Sequence, residues 1–337
     1  MVLIAAMSWP LAACRSPRPD RTTIDAAVRS GLGFVASAYH GNSFDDPYLR
    51  YVYTDERLSS PLEGYEVTYR LLDAYFIVRM LKETGVAPGP AAVLFERAEA
   101  LTTALVPSWR AFGIYNLRRS PSPGGIALDT YAILAWLSRD VGLARVLVSG
   151  LDGDGWLPAN LYTGEQSFRL LADESWAARA VLVSGIDPPL GNGLVLRIGK
   201  EALLRVGRPQ SSVARANLVV LALDALRDLR ESTGGAPGGD PKVDRMRRGL
   251  VEEGVRLLGD SELEDSTLTL ANLLGSLAPE GEARRESLEP GVRTLLAGQD
   301  HYGGWSEARG TGGSSGRVFT TLRAMLALAT YRRDREP

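Results

Sequence analysis

Carboxylate side chains have the greatest capacity for chemistry in this sequence. Asp173 and Glu174 are adjacent and shortly precede Trp176, and further acids begin or interrupt other apolar segments. Glycoside hydrolysis needs one carboxylic acid to protonate the leaving oxygen and one carboxylate to act as base or nucleophile. The candidates for these catalytic roles are Asp173, Glu174, Glu66 and Asp129. Each also has a structural alternative, because caps, helix dipoles and ion pairs favour acids in a first helical turn whatever the function.

Aromatic residues and arginines supply the candidates for ligand binding. The aromatic candidates lie in or beside long connections between helical segments, and they are Trp156, Tyr162, Trp305, Tyr65 and Tyr115. Arg179 and Arg215 each stand between two alanines in an apolar segment. A buried arginine needs a partner. Together these arginines could bind an anionic ligand, such as a uronic-acid glycan or a lipid phosphate. Alternatively, each pairs with a carboxylate on a neighbouring helix.

Metal and cofactor chemistry find little support in the residue types. His40 and His301 are the only histidines, and Cys14 is the only cysteine. Two distant imidazoles and one thiol are too few for a zinc site. The glycine-rich segment 309–316 lacks the lysine and the preceding strand of a phosphate-binding loop. We therefore predict no metal and no cofactor.

Helical periodicity extends along most of the chain and predicts an all-α fold. Apolar residues recur at the 3.6-residue spacing of helices in twelve segments, which alternate between less and more apolar members. We interpret the more apolar set as inner helices, because a helix that is apolar nearly all round is buried on both sides. The predicted outer helices span about 23–38, 90–106, 140–149, 190–205, 242–258 and 283–298. The predicted inner helices span about 62–83, 126–138, 173–184, 211–230, 265–277 and 317–331.

The connections between these helices differ in length. Most of the long ones run from an outer to an inner helix, so they would gather where the inner helices begin. Long unstructured connections in a compact domain are usually functional or disordered, and the aromatic content of these argues against disorder. The glycine- and proline-rich stretch at 232–240 interrupts the pattern without changing it. We therefore predict one domain, over 23–333, with its site at the rim formed by the inner-helix N-termini.

A short motif resembles a known structural repeat. The residues from Gln299 to Trp305 fit the pattern Gln-x-x-x-Gly-x-Trp, and this segment resembles the QW repeat of the squalene-hopene cyclase and prenyltransferase group. The resemblance implies a single (α/α)6 toroid in which this glutamine and tryptophan tie a helix end to the following loop. The catalytic aspartate motifs of that group are absent from the sequence. The same toroid plan is similar to that of (α/α)6 glycan-processing enzymes, which carry acids and aromatic platforms at their clefts.

The N-terminus resembles a bacterial lipoprotein signal. A short apolar run ends in Leu-Ala-Ala-Cys at Cys14, although no basic residue precedes it. The run is too short to span a bilayer, which favours a cleaved signal peptide over residues 1–13 and lipidation of Cys14. Residues 14–22 would then form a lipidated tether. This resemblance implies a location in the bacterial cell envelope, with contact to the membrane through the lipid anchor alone.

Composition narrows the possible partners. The net charge of −2 gives no reason to expect nucleic-acid binding, which needs a dense basic face. We expect a monomeric lipoprotein that binds or processes a small-molecule or glycan ligand, as a hydrolase or lyase. One alternative is a non-catalytic toroid that serves as a binding or scaffold protein. A second is a terpenoid-cyclase-like enzyme with an apolar cavity.

Overall fold

A computed structural model describes residues 19–40, 43–44, 83–86, 89, 92, 96, 132–151, 155, 168–234, 240–280, 285–306 and 317–333. This part of the chain is mostly helical, as the all-α prediction requires. The helices are α1 (Arg21–Ala38), α2 (132–138), α3 (Val141–Ser149), α4 (Phe168–Ser184), α5 (Pro188–Val206), α6 (Ser212–Ser232), α7 (Pro241–Leu257), α8 (Ser261–Glu264), α9 (Thr267–Leu277), α10 (Arg285–Ala297) and α11 (Arg317–Arg333). Two short antiparallel strands, β1 (Tyr39–His40) and β2 (Ser43–Phe44), follow α1.

Caps determine where several helices begin. Asp140 accepts a hydrogen bond from the backbone N–H of Leu143 at the start of α3. Asp187 and Asp240 cap α5 and α7 in the same way, and a proline follows each of them at the first helical position. Such caps satisfy N–H groups that have no partner inside the helix, and each contributes roughly 0.5–2 kcal/mol.

Asp260 links two helices as well as capping one. Its carboxylate accepts a hydrogen bond from the Ser212 hydroxyl at 2.5 Å, and another from the backbone N–H of Glu262 in α8 at 3.0 Å. The hydrogen bond from Ser212, together with that from Glu262, lowers the pKa of Asp260 below its ordinary value. The start of α6 is thereby tied to the start of α8.

Helices that alternate along the chain pack against one another. Helix α4 contacts α6, α6 contacts α9, and α9 contacts α11. Of the helices that lie between them in sequence, α5 packs on both α4 and α6, α7 packs on both α6 and α9, and α10 packs on α9. The first helix, α1, packs on the last, α11.

Burial differs between the two sets of helices in the direction that the sequence predicts. Most residues of α9 and α11 are buried, whereas α7 buries one stripe, formed by Leu250, Val251, Gly254 and Leu257. Helices α4 and α5 also approach closely, because Gly191 leaves room for the backbone of Leu182; a Cβ at Gly191 would lie 2.8 Å from the Cα of Leu182. None of the helices described above is long and apolar enough to cross a membrane.

The segment from Gln299 to Trp305 joins three helices. The Trp305 indole is fully buried and donates its Nε1–H to the carbonyl of Leu295 in α10 at 2.7 Å. Its backbone N–H donates to Thr321 Oγ1 in α11 at 2.9 Å. Gln299 donates to the carbonyl of Ala27 in α1 at 2.8 Å. The motif therefore holds the end of α10 to both α1 and α11.

Candidate functional site

A charged cavity of about 310 Å³ lies between the C-terminal halves of α6, α9 and α11. Residues near the ends of the first predicted inner helix and of α2 complete its wall. Among the described residues, its ionisable lining consists of six arginines and four acids, namely Arg139, Arg179, Arg227, Arg230, Arg323, Arg333, Glu83, Asp224, Asp228 and Glu231. The volume reaches the lower end of the range of about 300–1,000 Å³ that is usual for small-molecule sites.

A buried ion pair forms one wall of this cavity. Arg179 of α4 and Asp228 of α6 are 7% and 8% exposed, and Arg179 Nε donates to Asp228 Oδ2 at 2.6 Å. The indole Nε1–H of Trp136 donates to the same oxygen at 2.8 Å. The Arg179 guanidinium also lies over the Trp176 ring, 4.4 Å from its centre, and 5.3 Å from that of Trp136. One cation therefore connects α2, α4 and α6.

Opposing effects act on the pKa of Arg179. Burial by itself lowers this pKa, because it penalises the charged form. The nearby carboxylates of Asp228 and Asp224, together with the hydrogen bond to Asp228, outweigh burial and raise the pKa above its ordinary value. Arg179 is therefore a permanent cation in the cavity wall.

A second network surrounds Asp224, one helical turn before Asp228. Asp224 Oδ1 accepts a hydrogen bond from the Ser276 hydroxyl of α9 at 2.8 Å, and Arg227 lies 3.3 Å from the same oxygen. Arg227 also donates to the backbone carbonyl of Ser276 at 2.7 Å. Its guanidinium lies 3.7 Å from Glu280, whose side chain is fully buried and also accepts from Arg247 at 3.0 Å. Both aspartates of α6 are therefore held by cations.

A second compartment of about 330 Å³ adjoins the first. Four residues line both compartments, namely Trp136, Arg139, Asp228 and Glu231. Leu182, Val183, Gly185 and Ser232 complete the second lining. Polar and charged groups therefore extend past the first cavity, along the ends of α2, α4 and α6. Within the described residues, no three His, Cys, Asp or Glu side chains come together as a metal site.

The two predicted arginines have different surroundings. Arg179 pairs with a carboxylate on a neighbouring helix, as the ion-pair alternative predicts, and it also lines the cavity. Arg215 is not part of this lining. It donates to the Ser212 hydroxyl at 3.0 Å and lies 3.5 Å from Glu253 of α7. These contacts place Arg215 between α6 and α7, and its predicted role in binding a ligand stays a prediction.

Glu174 and Trp305 both lie in packed parts of the fold. Glu174 is 4% exposed and borders a volume of about 10 Å³ that is enclosed with Leu147 and Arg197 between α3, α4 and α5. This space holds about one water molecule. The Trp305 ring is fully buried, and its N–H is bonded to a backbone carbonyl, which leaves no surface for a sugar.

The side chains of the other predicted site residues lie outside the described part of the chain. Asp173 lies inside α4, which begins at Phe168, five residues before the predicted start of this inner helix. Its side chain is outside what the structure describes. The other candidates outside the described residues are Glu66, Asp129, Trp156, Tyr162, Tyr65, Tyr115 and the lipidation site Cys14.

Asp224, Asp228 and Trp136 are cavity residues that the sequence analysis did not select. A signal for them exists, because α6 reads Leu223-Asp-Ala-Leu-Arg-Asp-Leu229, with two acids at the i,i+4 spacing of one helical face inside an apolar segment. A carboxylate in an apolar helix needs a partner for the same reason as an arginine does. No known family model matches the chain, and a search of curated proteins finds no significant match.

Proposed function

We propose that this protein is a lipid-anchored cell-envelope protein with a closed (α/α)6 toroid, whose charged cavity binds an acidic carbohydrate. The excess of arginines over acids in the cavity lining carries this proposal. Asp228 pairs with Arg179 and Asp224 pairs with Arg227. The other described ionisable residues of the lining are four arginines and two glutamates, and Arg323, Arg333 and Glu83 among them have interactions of their own.

The toroid is supported by the order of helix contacts. Contacts run from α4 to α6, α9 and α11, and α1 contacts α11. In a ring of helical hairpins, the first outer helix packs beside the last inner helix, which is the relation between α1 and α11. The Gln299 and Trp305 bonds hold this junction, as the resemblance to the QW repeat implies.

An acidic carbohydrate fits the chemistry of the lining. Arginine forms two parallel hydrogen bonds to a carboxylate, whereas Glu231 and Asn272 can accept from or donate to sugar hydroxyls. The Asn272 Oδ1 atom is buried and has no hydrogen-bond partner. Trp136 offers part of an aromatic ring at the same wall.

Binding without cleavage is the better-supported form of this proposal. Asp228 Oδ2 already accepts from two donors, and Asp224 Oδ1 is bound by a serine and an arginine. These oxygens are engaged in holding helices together. The hydrolase or lyase alternative now depends on Glu66, Asp129 and Asp173. The terpenoid-cyclase alternative requires an apolar cavity, and the charged lining argues against it.

Calorimetric titration of the full-length chain with galacturonate, glucose and inorganic phosphate tests the proposed ligand class. Galacturonate should bind, glucose should not, and phosphate should bind more weakly than galacturonate. Arg230→Gln should weaken galacturonate binding by about tenfold or more, the effect of one charge-assisted hydrogen bond. Arg208 is a matched control, because it is exposed and is not part of either cavity lining. Equal binding of glucose, or no binding of galacturonate, would contradict the proposal.

Two further measurements test catalysis and anchoring separately. Incubation with oligogalacturonate should release no new reducing ends or unsaturated products, and the release of either would favour the enzymatic alternative. Cys14→Ser should move the protein from the membrane fraction to the soluble fraction of the producing bacterium. Unchanged fractionation would contradict lipidation while leaving the binding proposal intact.

A further inference from the structure

Arg139 has a backbone conformation that usually belongs to glycine. It forms the connection between α2 and α3 together with Asp140, which caps α3. Its φ of 51° lies in the left-handed region, and all other residues with positive φ in the described part of the chain are glycines. Glycine adopts this conformation without steric strain, whereas a side chain opposes it.

The Arg139 side chain has no structural partner that explains its presence. It is exposed, and no hydrogen bond or ion pair joins its guanidinium to the described residues. Strained residues of this kind persist where the side chain has a functional use. The strain therefore needs an explanation other than packing.

The location of Arg139 provides an explanation for its strained backbone. Arg139 lines both the first compartment of about 310 Å³ and the second of about 330 Å³. Asp228 and Trp136, which also line both, are joined to each other by a hydrogen bond of 2.8 Å. Arg139 is thus a cation at the boundary between the two compartments, and it pairs with no carboxylate among the described residues.

We propose that Arg139 binds an anionic group of a ligand that extends through both compartments, so that the natural ligand is an acidic oligosaccharide of two or more residues. This inference rests on the proposed function, since it extends the same site. One acidic residue occupies the first compartment, near Arg230, and the next is held by Arg139 at the boundary.

Titrations of the full-length protein with galacturonate, digalacturonate and trigalacturonate test this inference. The unmodified protein should bind the longer ligands about tenfold or more tightly than the monosaccharide, the value of one added charge-assisted contact. Arg139→Gln and Arg139→Gly should both lose this gain, so that each variant binds digalacturonate and trigalacturonate about as tightly as it binds galacturonate.

Thermal unfolding of the same variants tests the role of strain. Arg139→Gly should melt at a higher temperature than Arg139→Gln, because glycine accepts the left-handed conformation. The matched pair Arg208→Gly and Arg208→Gln should show no such advantage for glycine, since Arg208 has no positive φ. A protein that gains stability from Arg139→Gly but loses length-dependent affinity would show that Arg139 is kept for its ligand.

The outcomes separate this inference from the proposed function. Galacturonate binding that depends on Arg230, with no gain for longer ligands or with a gain that survives Arg139→Gln, overturns the inference and leaves the proposed function standing. Failure of all three acidic ligands to bind overturns both. An Arg139→Gly variant that melts below Arg139→Gln overturns the strain argument.

Discussion

Replacing Asp228 with leucine should destabilise the protein strongly, because it leaves Arg179 as a buried cation without its ion-pair partner. Breaking a buried pair by removing one member costs about 3–5 kcal/mol. The N–H of Trp136 also loses its acceptor, at a further cost of about 1 kcal/mol. The pair borders a polar cavity that water can enter, and Arg179 keeps its contacts with two indole rings. Both features favour the lower end of the range for the broken pair, so together with the Trp136 term we expect a total loss of about 4 kcal/mol.

A double-mutant cycle tests the reasoning. Arg179→Met with Asp228→Leu removes both charges, and such apolar replacements of buried pairs are often neutral or stabilising. The double variant should therefore be more stable than Asp228→Leu alone by about 1.5 kcal/mol or more. Urea unfolding followed by circular dichroism measures all four proteins, with an unchanged m-value as the check on the unfolded state. A single-variant loss below about 1 kcal/mol, or a double-variant loss equal to the sum of the single losses, would refute the argument.

Four other substitutions give distinct outcomes. Gly303→Ala should cost about 3 kcal/mol or prevent folding, because Gly303 has a φ of +90° and a Cβ there would lie 2.4 Å from Ser30 Oγ. Gly304→Ala should cost less stability, because its Cβ would meet only the edge of an aromatic ring at 3.1 Å. Thermal melts of the two variants measure this difference, and equal losses would contradict the argument. Asp260→Asn should lower the melting temperature near pH 7. The lowered pKa of Asp260 makes its contribution complete above about 4, so the difference should shrink as pH falls below that value; a constant difference would exclude this linkage. Asp224→Asn should strengthen galacturonate binding by about fivefold, because it removes a negative charge whose repulsion of the ligand carboxylate costs roughly 1 kcal/mol. Weaker binding would instead favour direct contact of Asp224 with a hydroxyl of the ligand.

Helix positions were predictable because most of these helices need one buried face, which leaves an apolar repeat in the sequence. Helix α7 shows this relation, since its buried residues recur at the spacing of a single stripe. The beginning of α4 was misplaced because Asp173 and Glu174 have the residue types of a first turn. The preceding Phe168 and Leu171 continue the apolar repeat and extend the helix. Local propensity and tertiary packing therefore compete at helix ends.

The position of the cavity was less predictable. Connection lengths pointed to the N-terminal ends of the inner helices, whereas the charged cavity lies along their C-terminal halves. Its key bonds join residues far apart in sequence, such as Trp136 to Asp228 and Ser276 to Asp224. The apolar pattern of α6 indicates that Asp228 needs a partner. Which residue becomes that partner depends on how α2, α4 and α6 pack together.

Some arginines of the cavity lining lie near helix C-termini, where a cation stabilises the fold even without a ligand. Helix C-termini carry partial negative charge, so a cation in a last turn gains about 0.3–1 kcal/mol. Arg230 and Arg333 lie in the last turns of α6 and α11, and the helix dipole stabilises both of them whether or not a ligand is bound. Arg139 follows the end of α2, but its left-handed backbone costs about 1–3 kcal/mol, which is more than the dipole returns. Glycine at this position would give the more stable protein, so the guanidinium of Arg139 is the charge in this cavity that most requires a function.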